Sequence, residues 1–251
     1  MAIKTPLRTL IATALVVSAC GGGATATTTT TTSSTPPQVT LATTTTQPFA
    51  RPPASYFEFR QQPAACGAET PPEARDLRFD APDDMELNPG VKLLATIQTS
   101  CGPIDLELDP STAPETVNSF VFLAQSGYYD GTVSHRVIPG FMIQAGDPTA
   151  TGMGDPGYSL PDEFPPDGFI YETGVVAMAN AGAGTTGSQF FIVTGDASHL
   201  PPLFTVIGIV SSGLDTLALI DQVPLGPTIR GEASVPLESV YIESITITPL
   251  G

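Results

Sequence analysis

Between residues 104 and 109, Ile104, Leu106 and Leu108 alternate without a break with Asp105, Glu107 and Asp109. Successive side chains leave a pleated backbone on opposite sides, so a period of two marks a strand with one face buried and one face wet. A second apolar run covers 91–99, and the turn Cys101-Gly102-Pro103 separates the two. Further short runs rich in β-branched and aromatic residues recur at 140–145, 175–179, 189–194, 204–210 and 239–248, with Gly and Pro between them. Only two windows read as helix. Thr112-Ala113-Pro114-Glu115 is a capping-box pattern with Pro in the first turn. It opens a helix with Val117, Phe120, Val121 and Ala124 on one stripe, ending before Gly127. A second helix is expected over 213–222. The pattern predicts a mainly β fold, a closed antiparallel β-barrel capped by two α-helices.

The barrel is expected over 91–251, and the sequence before it has another character. Residues 1–19 carry Lys4 and Arg8, then a short apolar run from Leu10 to Val17. That run is too short to span roughly 30 Å of hydrocarbon, so it reads as a signal peptide and not as an anchor. Val17-Ser18-Ala19-Cys20 resembles a bacterial lipobox, in which cleavage leaves Cys20 as a diacylated first residue; an ordinary signal peptide cut near Ala19 is the alternative. Residues 20–53, rich in Thr and Pro, offer little apolar surface to bury and read as a disordered linker. Residues 54–90 read as a partly ordered lead-in to the barrel.

With Cys20 taken by lipid, Cys66 and Cys101 remain, and an even pair in an oxidising compartment points to one disulfide. The expected location is extracytoplasmic, on the bacterial cell membrane through lipidated Cys20. Acidic residues outnumber basic ones 25 to 9, for a formal charge of −16. This excess argues against nucleic acid, which is bound by neutralising phosphates with Lys and Arg. It also argues against adsorption to anionic lipid by the protein surface, leaving the membrane reachable only through the lipid anchor. The two histidines, His135 and His199, have no Cys, His or carboxylate at ligand spacing, so neither metal nor other cofactor is expected.

Two segments carry the chemistry. The first runs Ser134-His135-Arg136-Val137-Ile138-Pro139-Gly140-Phe141-Met142-Ile143-Gln144-Ala145-Gly146-Asp147. The second is Met178-Ala179-Asn180-Ala181-Gly182, followed by Gly187-Ser188-Gln189-Phe190-Phe191-Ile192. In order and spacing they resemble the two signatures of cyclophilins, and the resemblance extends over about 95–248. It implies a peptidyl-prolyl cis-trans isomerase acting on proline-containing polypeptides without a cofactor; the chain is expected to be monomeric. Arg136 would be the catalytic donor beside the substrate amide. Phe141, Met142, Phe191 and Leu200 would hold the proline ring, and Gln144 would bond substrate backbone. Ala179, Asn180 and Gln189 would line the neighbouring subsite, with His199 and Phe204 on the pocket wall.

The departures are specific. Ser134 stands where an aromatic commonly precedes the His-Arg pair, His199 where the best-studied members carry a Trp that contacts cyclosporin, and Phe204 where His or Tyr is frequent. A non-catalytic module binding proline peptides, or a scaffold lipoprotein with the same fold, is the alternative function. The combination of Arg136, Phe141, Gln144 and Phe191 favours the enzyme.

Overall fold

A computed structural model describes residues 51–250. The expected signal peptide, the lipidation at Cys20 and the linker as far as residue 50 lie outside the described residues.

The alternating segment forms β2 (Gly102–Leu108), paired antiparallel with β1 (Leu93–Thr99). Ile104, Leu106 and Leu108 are buried and Asp105 and Glu107 are not, as the period of two requires. After β2 come helix α2 (Pro114–Gln125), β3 (Arg136–Ile138), β4 (Met142–Ala145), β5 (Val175–Met178), β6 (Phe190–Val193) and β7 (Val206–Ser212). Helix α3 (Leu214–Ile220), the hairpin strands β8 (Leu225–Pro227) and β9 (Ala233–Pro236), and β10 (Ile242–Pro249) complete the order. Eight strands make one curled antiparallel sheet, ordered β10-β1-β2-β7-β5-β6-β4-β3, while β8 and β9 pair with each other. Just before β3, the Gly131 and Ser134 amides donate to the Ile242 and Val240 carbonyls, both at 2.8 Å.

Three departures from the expected fold have physical causes. A short helix α1 (Tyr56–Phe59) precedes the strands of the sheet, so α2 and α3 are not the only helices. Its Phe59 is buried with Val133, Ala150 and Tyr241. Strands β3, β8 and β9 were not expected: β3 and β8 span only three residues, too few to show a period, and β9 reads Ala-Ser-Val-Pro, with one β-branched residue in four. The capping box does not form: the N-cap of α2 is Ala113, which makes no side-chain cap bond. Glu163 does the capping from 47 residues downstream, accepting from the Thr116 amide at 2.8 Å and from the Glu115 amide at 3.2 Å. A carboxylate there satisfies amides that lack an intrahelical partner and meets the positive end of the helix dipole. The stripe itself holds: Val117, Phe120, Val121 and Ala124 are all buried, and each large apolar side chain so buried contributes about 1.5–3 kcal/mol.

The lead-in is tied to the sheet at several points. Cys66 and Cys101 form a disulfide that fastens it to the β1–β2 turn. The Ala65 amide donates to the Ser239 carbonyl at 3.0 Å and the Phe79 amide to Pro156 at 2.8 Å. The Phe79 ring packs edge-on against Phe122 of α2, with centroids 4.8 Å apart.

Strands β4, β5 and β6 position the site. β5 and β6 are buried at every residue, so both of their faces are covered. On one face Ile143, Ala145, Val176, Met178, Phe190 and Ile192 join the main core with α2. On the other, Met142, Val175, Ala177, Phe191 and Val193 join a second cluster.

Candidate active site

On that second face, Arg136 of β3 lies opposite Gln144 of β4, Gln144 opposite Phe191 of β6, and Phe191 opposite Ala177 of β5. Residues directly opposite in adjacent strands project to the same side of a sheet. The register therefore places a guanidinium, an amide and an aromatic ring in one row. Loop residues build the rim of the second cluster, and Phe141, Ala179, Leu200 and Phe204 pack half-buried against Met142 and Phe191. Phe191 and Phe204 meet edge to face at 5.5 Å. His199 is exposed, with its ring 4.7 Å from that of Phe141.

The polar groups are cross-braced. Gln144 Nε2 donates to Gln189 Oε1 at 2.9 Å, and Gln189 Nε2 to the Gly154 carbonyl at 3.0 Å. Asn180 turns its amide to the Leu203 carbonyl at 2.8 Å. Arg136 is engaged side-on by Glu232, Nε to Oε2 and Nη2 to Oε1, both at 3.1 Å. The Arg136 hydrogen bonds, helped by Ser234 and opposed by slight burial, hold Glu232 below the usual carboxylate range. His135 is neutral at pH 7, because burial lowers its pKa to about 4. Behind it Asp147 is fully buried. Burial alone would raise its pKa, but hydrogen bonds from Thr149 and Gly154 and the nearby His135 outweigh that and lower it. The carboxylate gathers the amides of Thr149, Thr151, Gly152 and Gly154 at 2.7–3.1 Å and so shapes the loop beside the row. Gly154 must be glycine, since a Cβ there would sit 1.9 Å from Asp147 Oδ1.

Two hollows flank the row. One, about 270 Å³, is lined by Gln144, Ala179, Asn180 and Gln189. The larger, about 640 Å³, lies between Pro52 and Pro53, Gly152 and Val235 of the β8–β9 hairpin, with Arg136 and Gln144 on its wall. The larger is not the apolar cleft but its neighbour across Arg136. Among the described residues no three His, Cys, Asp or Glu side chains gather as metal ligands. Such a surface offers an apolar cleft edged by charged and amide donors and no activated nucleophile. That suits a reaction in which no bond to another atom forms.

All the residues expected from sequence fall around this row except those of the disulfide, which sits at the β1–β2 turn, and Cys20, which lies outside the described residues. Three participants were missed. Tyr171 braces the rim, its hydroxyl donating to the Phe204 carbonyl at 2.8 Å and accepting from the Phe204 amide at 3.0 Å. Asp147 closes the first signature but had been given no role. Glu232 gave no signal at all, lying 96 positions from its partner.

The sequence profile described as cyclophilin type peptidyl-prolyl cis-trans isomerase/CLD matches residues 94–247. This chain belongs to that family. The cyclophilin is 42% identical over 171 residues to peptidyl-prolyl cis-trans isomerase B of Streptomyces anulatus, covering 62% of this chain and 97% of that protein. It is 41% identical over 181 residues to peptidyl-prolyl cis-trans isomerase A of Mycobacterium tuberculosis H37Rv, covering 66% and 98%. Among solved structures, a Cryptosporidium parvum cyclophilin type isomerase, crystallised in the presence of the dipeptide Ala-Pro, is 33% identical with a TM-score of 0.56. That match covers 62% of this chain and 98% of the other. The cyclophilin is thus an enzyme, a peptidyl-prolyl cis-trans isomerase.

Proposed function

We propose that this isomerase works outside the cytoplasm, held to the membrane by lipid on Cys20, with the Arg136–Gln144–Phe191 row as its catalytic centre. Rotation about an X–Pro bond faces a barrier of about 18–20 kcal/mol, set by amide resonance. Lowering it by about 4–5.5 kcal/mol accelerates rotation roughly 10³–10⁴-fold. Phe141, Met142, Phe191, Leu200 and Phe204 form the apolar face that takes the proline ring and strips water from the amide. Arg136 donates to the prolyl nitrogen or carbonyl as the amide twists, favouring the twisted form over either planar one. Gln144 bonds the substrate backbone, and Gln189 with the backbone at Ala179 and Asn180 lines the neighbouring subsite. The single observation that carries this assignment is the register that sets Arg136, Gln144 and Phe191 side by side.

The substrates are proline-containing polypeptides, in keeping with the Ala-Pro dipeptide present with the C. parvum protein. We also read the curled sheet as a closed barrel, supported by the hydrogen bonds from 131–134 to 240–242. The lipid anchor rests on the lipobox-like residues, and a disulfide agrees with an oxidising compartment. The assignment of the enzyme is tested by a protease-independent isomerisation assay on the purified chain, where uncatalysed rates of rotation would defeat it. For the anchor, Cys20→Ser should release the protein from the membrane fraction, and an unchanged distribution would defeat it.

A further inference from the structure

The only cation of the proposed catalytic row is not left to find its own position. Arg136 projects from β3 with a side chain 37% exposed, and a long side chain with that freedom samples several rotamers. Glu232 meets it from the turn of the β8–β9 hairpin and takes Nε and Nη2 together. The carboxylate is itself anchored. Its Oε2 accepts from the buried Ser234 hydroxyl at 2.7 Å, and the Glu232 amide donates to Thr228 Oγ1 at 3.1 Å. The Thr228 amide returns a bond to the Glu232 carbonyl at 2.7 Å, closing the turn.

A side-on pair fixes both the position and the plane of a guanidinium, which a single contact to a lysine would not. It uses Nε–H and one N–H of Nη2, leaving three of the five donors. Among the described residues no hydrogen bond is made by Nη1. The pair is exposed, with Glu232 43% accessible, and exposed ion pairs add little to folding stability. Its geometric effect on Arg136 is therefore larger than its energetic effect on the fold. A substrate amide carries no charge, so it brings no anion to compete with the carboxylate for the guanidinium.

We infer that Glu232 is a positioning residue for isomerisation, holding Arg136 side-on so that its Nη1 donors meet the twisting amide without a search. The inference rests on Arg136 being the donor, as proposed above.

The test uses the whole chain with Glu232→Gln, Glu232→Ala, Arg136→Ala and the double variant Glu232→Ala/Arg136→Ala. The kcat and KM for an Ala-Pro peptide are read separately by NMR exchange. Glu232→Ala should lower kcat about tenfold while KM stays within about twofold, because only the fit to the twisted state is lost. Glu232→Gln, isosteric and still able to accept one bond, should fall between that variant and the parent. In the Arg136→Ala background the loss should vanish, which a merely structural role for Glu232 would not produce. In the parent, the Arg136 Nε–H resonance should be sharp and protected, and it should broaden in both single Glu232 variants. A kcat in Glu232→Ala equal to or above that of the parent would overturn the inference, as would a loss that persists without Arg136. If Arg136→Ala itself keeps full activity, the assignment of Arg136 has failed and this inference falls with it.

Discussion

Phe190 and Phe191 are neighbours on β6 and are almost equally hidden, at 2% and 5% exposure, yet they belong to different regions. Phe190 lies beneath helix α2 and the turn that directly follows it, edge-on to Phe120 of α2 at 5.6 Å and to Tyr129 of that turn at 5.7 Å. Phe191 is covered by loop residues, meeting Phe204 at 5.5 Å and Tyr171 at 6.3 Å. The inner face of β4–β6 is a closed core, while the outer is a floor whose covering is half-buried and supplied by irregular chain. Degree of burial does not separate a core from a binding cleft; the identity of what lies on top does. Half-buried, irregular cover leaves room for a ligand ring to enter, whereas a space filled by a packed helix does not.

The sharpest break between the faces is Arg136→Ala. It should lower kcat/KM by about 10²-fold or more, the scale for losing a preorganised donor, with melting unchanged. Turnover within about twofold of the parent would remove the outer face from the chemistry. Next come the paired truncations. Phe190→Ala should destabilise by about 3–5 kcal/mol, whereas Phe191→Ala should destabilise less and lose more activity per folded molecule. Denaturant melts and rates corrected for folded fraction distinguish them, and identical profiles would mean the two faces are one core.

A smaller effect belongs to His135, between the row and the Asp147 loop. Burial holds its folded pKa near 4, below the ordinary 6.5. The unfolded chain therefore takes up a proton first as pH falls. The stability due to neutral His135 is complete above pH 6.5 and is lost between there and about pH 4, by about 3 kcal/mol in all. Calorimetry between pH 6.5 and 5, before most carboxylates titrate, should show falling melting temperatures; a flat profile would contradict the burial. Smallest is His199→Trp at the exposed rim. Cyclosporin should bind roughly tenfold tighter, because an indole adds contact area and an N–H donor beside Phe141. Titration calorimetry without a gain would show that this wall does not meet the ligand.

Legibility followed the period. The Ile104–Leu108 alternation and the Val117–Ala124 stripe report their buried faces directly, because each recurs at the spacing of its element. The runs 175–178 and 190–193 do not alternate, since both their faces are covered. Assigning Phe191 to the cleft and Phe190 to the core needed the likeness to cyclophilins. Glu232, Tyr171 and Glu163 were illegible for a shared reason: each acts on a group dozens of residues away, through a loop with no repeat of its own.

Glu163 has a consequence for how the chain folds. Its amide donates to Thr205 Oγ1 at 3.1 Å, beside the first residue of β7, while its carboxylate closes the first turn of α2. The first turn of a helix is the costly one to nucleate, and here its amides are satisfied by sequence synthesised later. During vectorial synthesis α2 would therefore emerge uncapped, and it would gain its full helical content only once the 160s loop and β7 had docked. Helix and sheet become one cooperative unit. A peptide spanning 110–127 should be largely unstructured in water, despite an apolar stripe and a proline start that suit a helix.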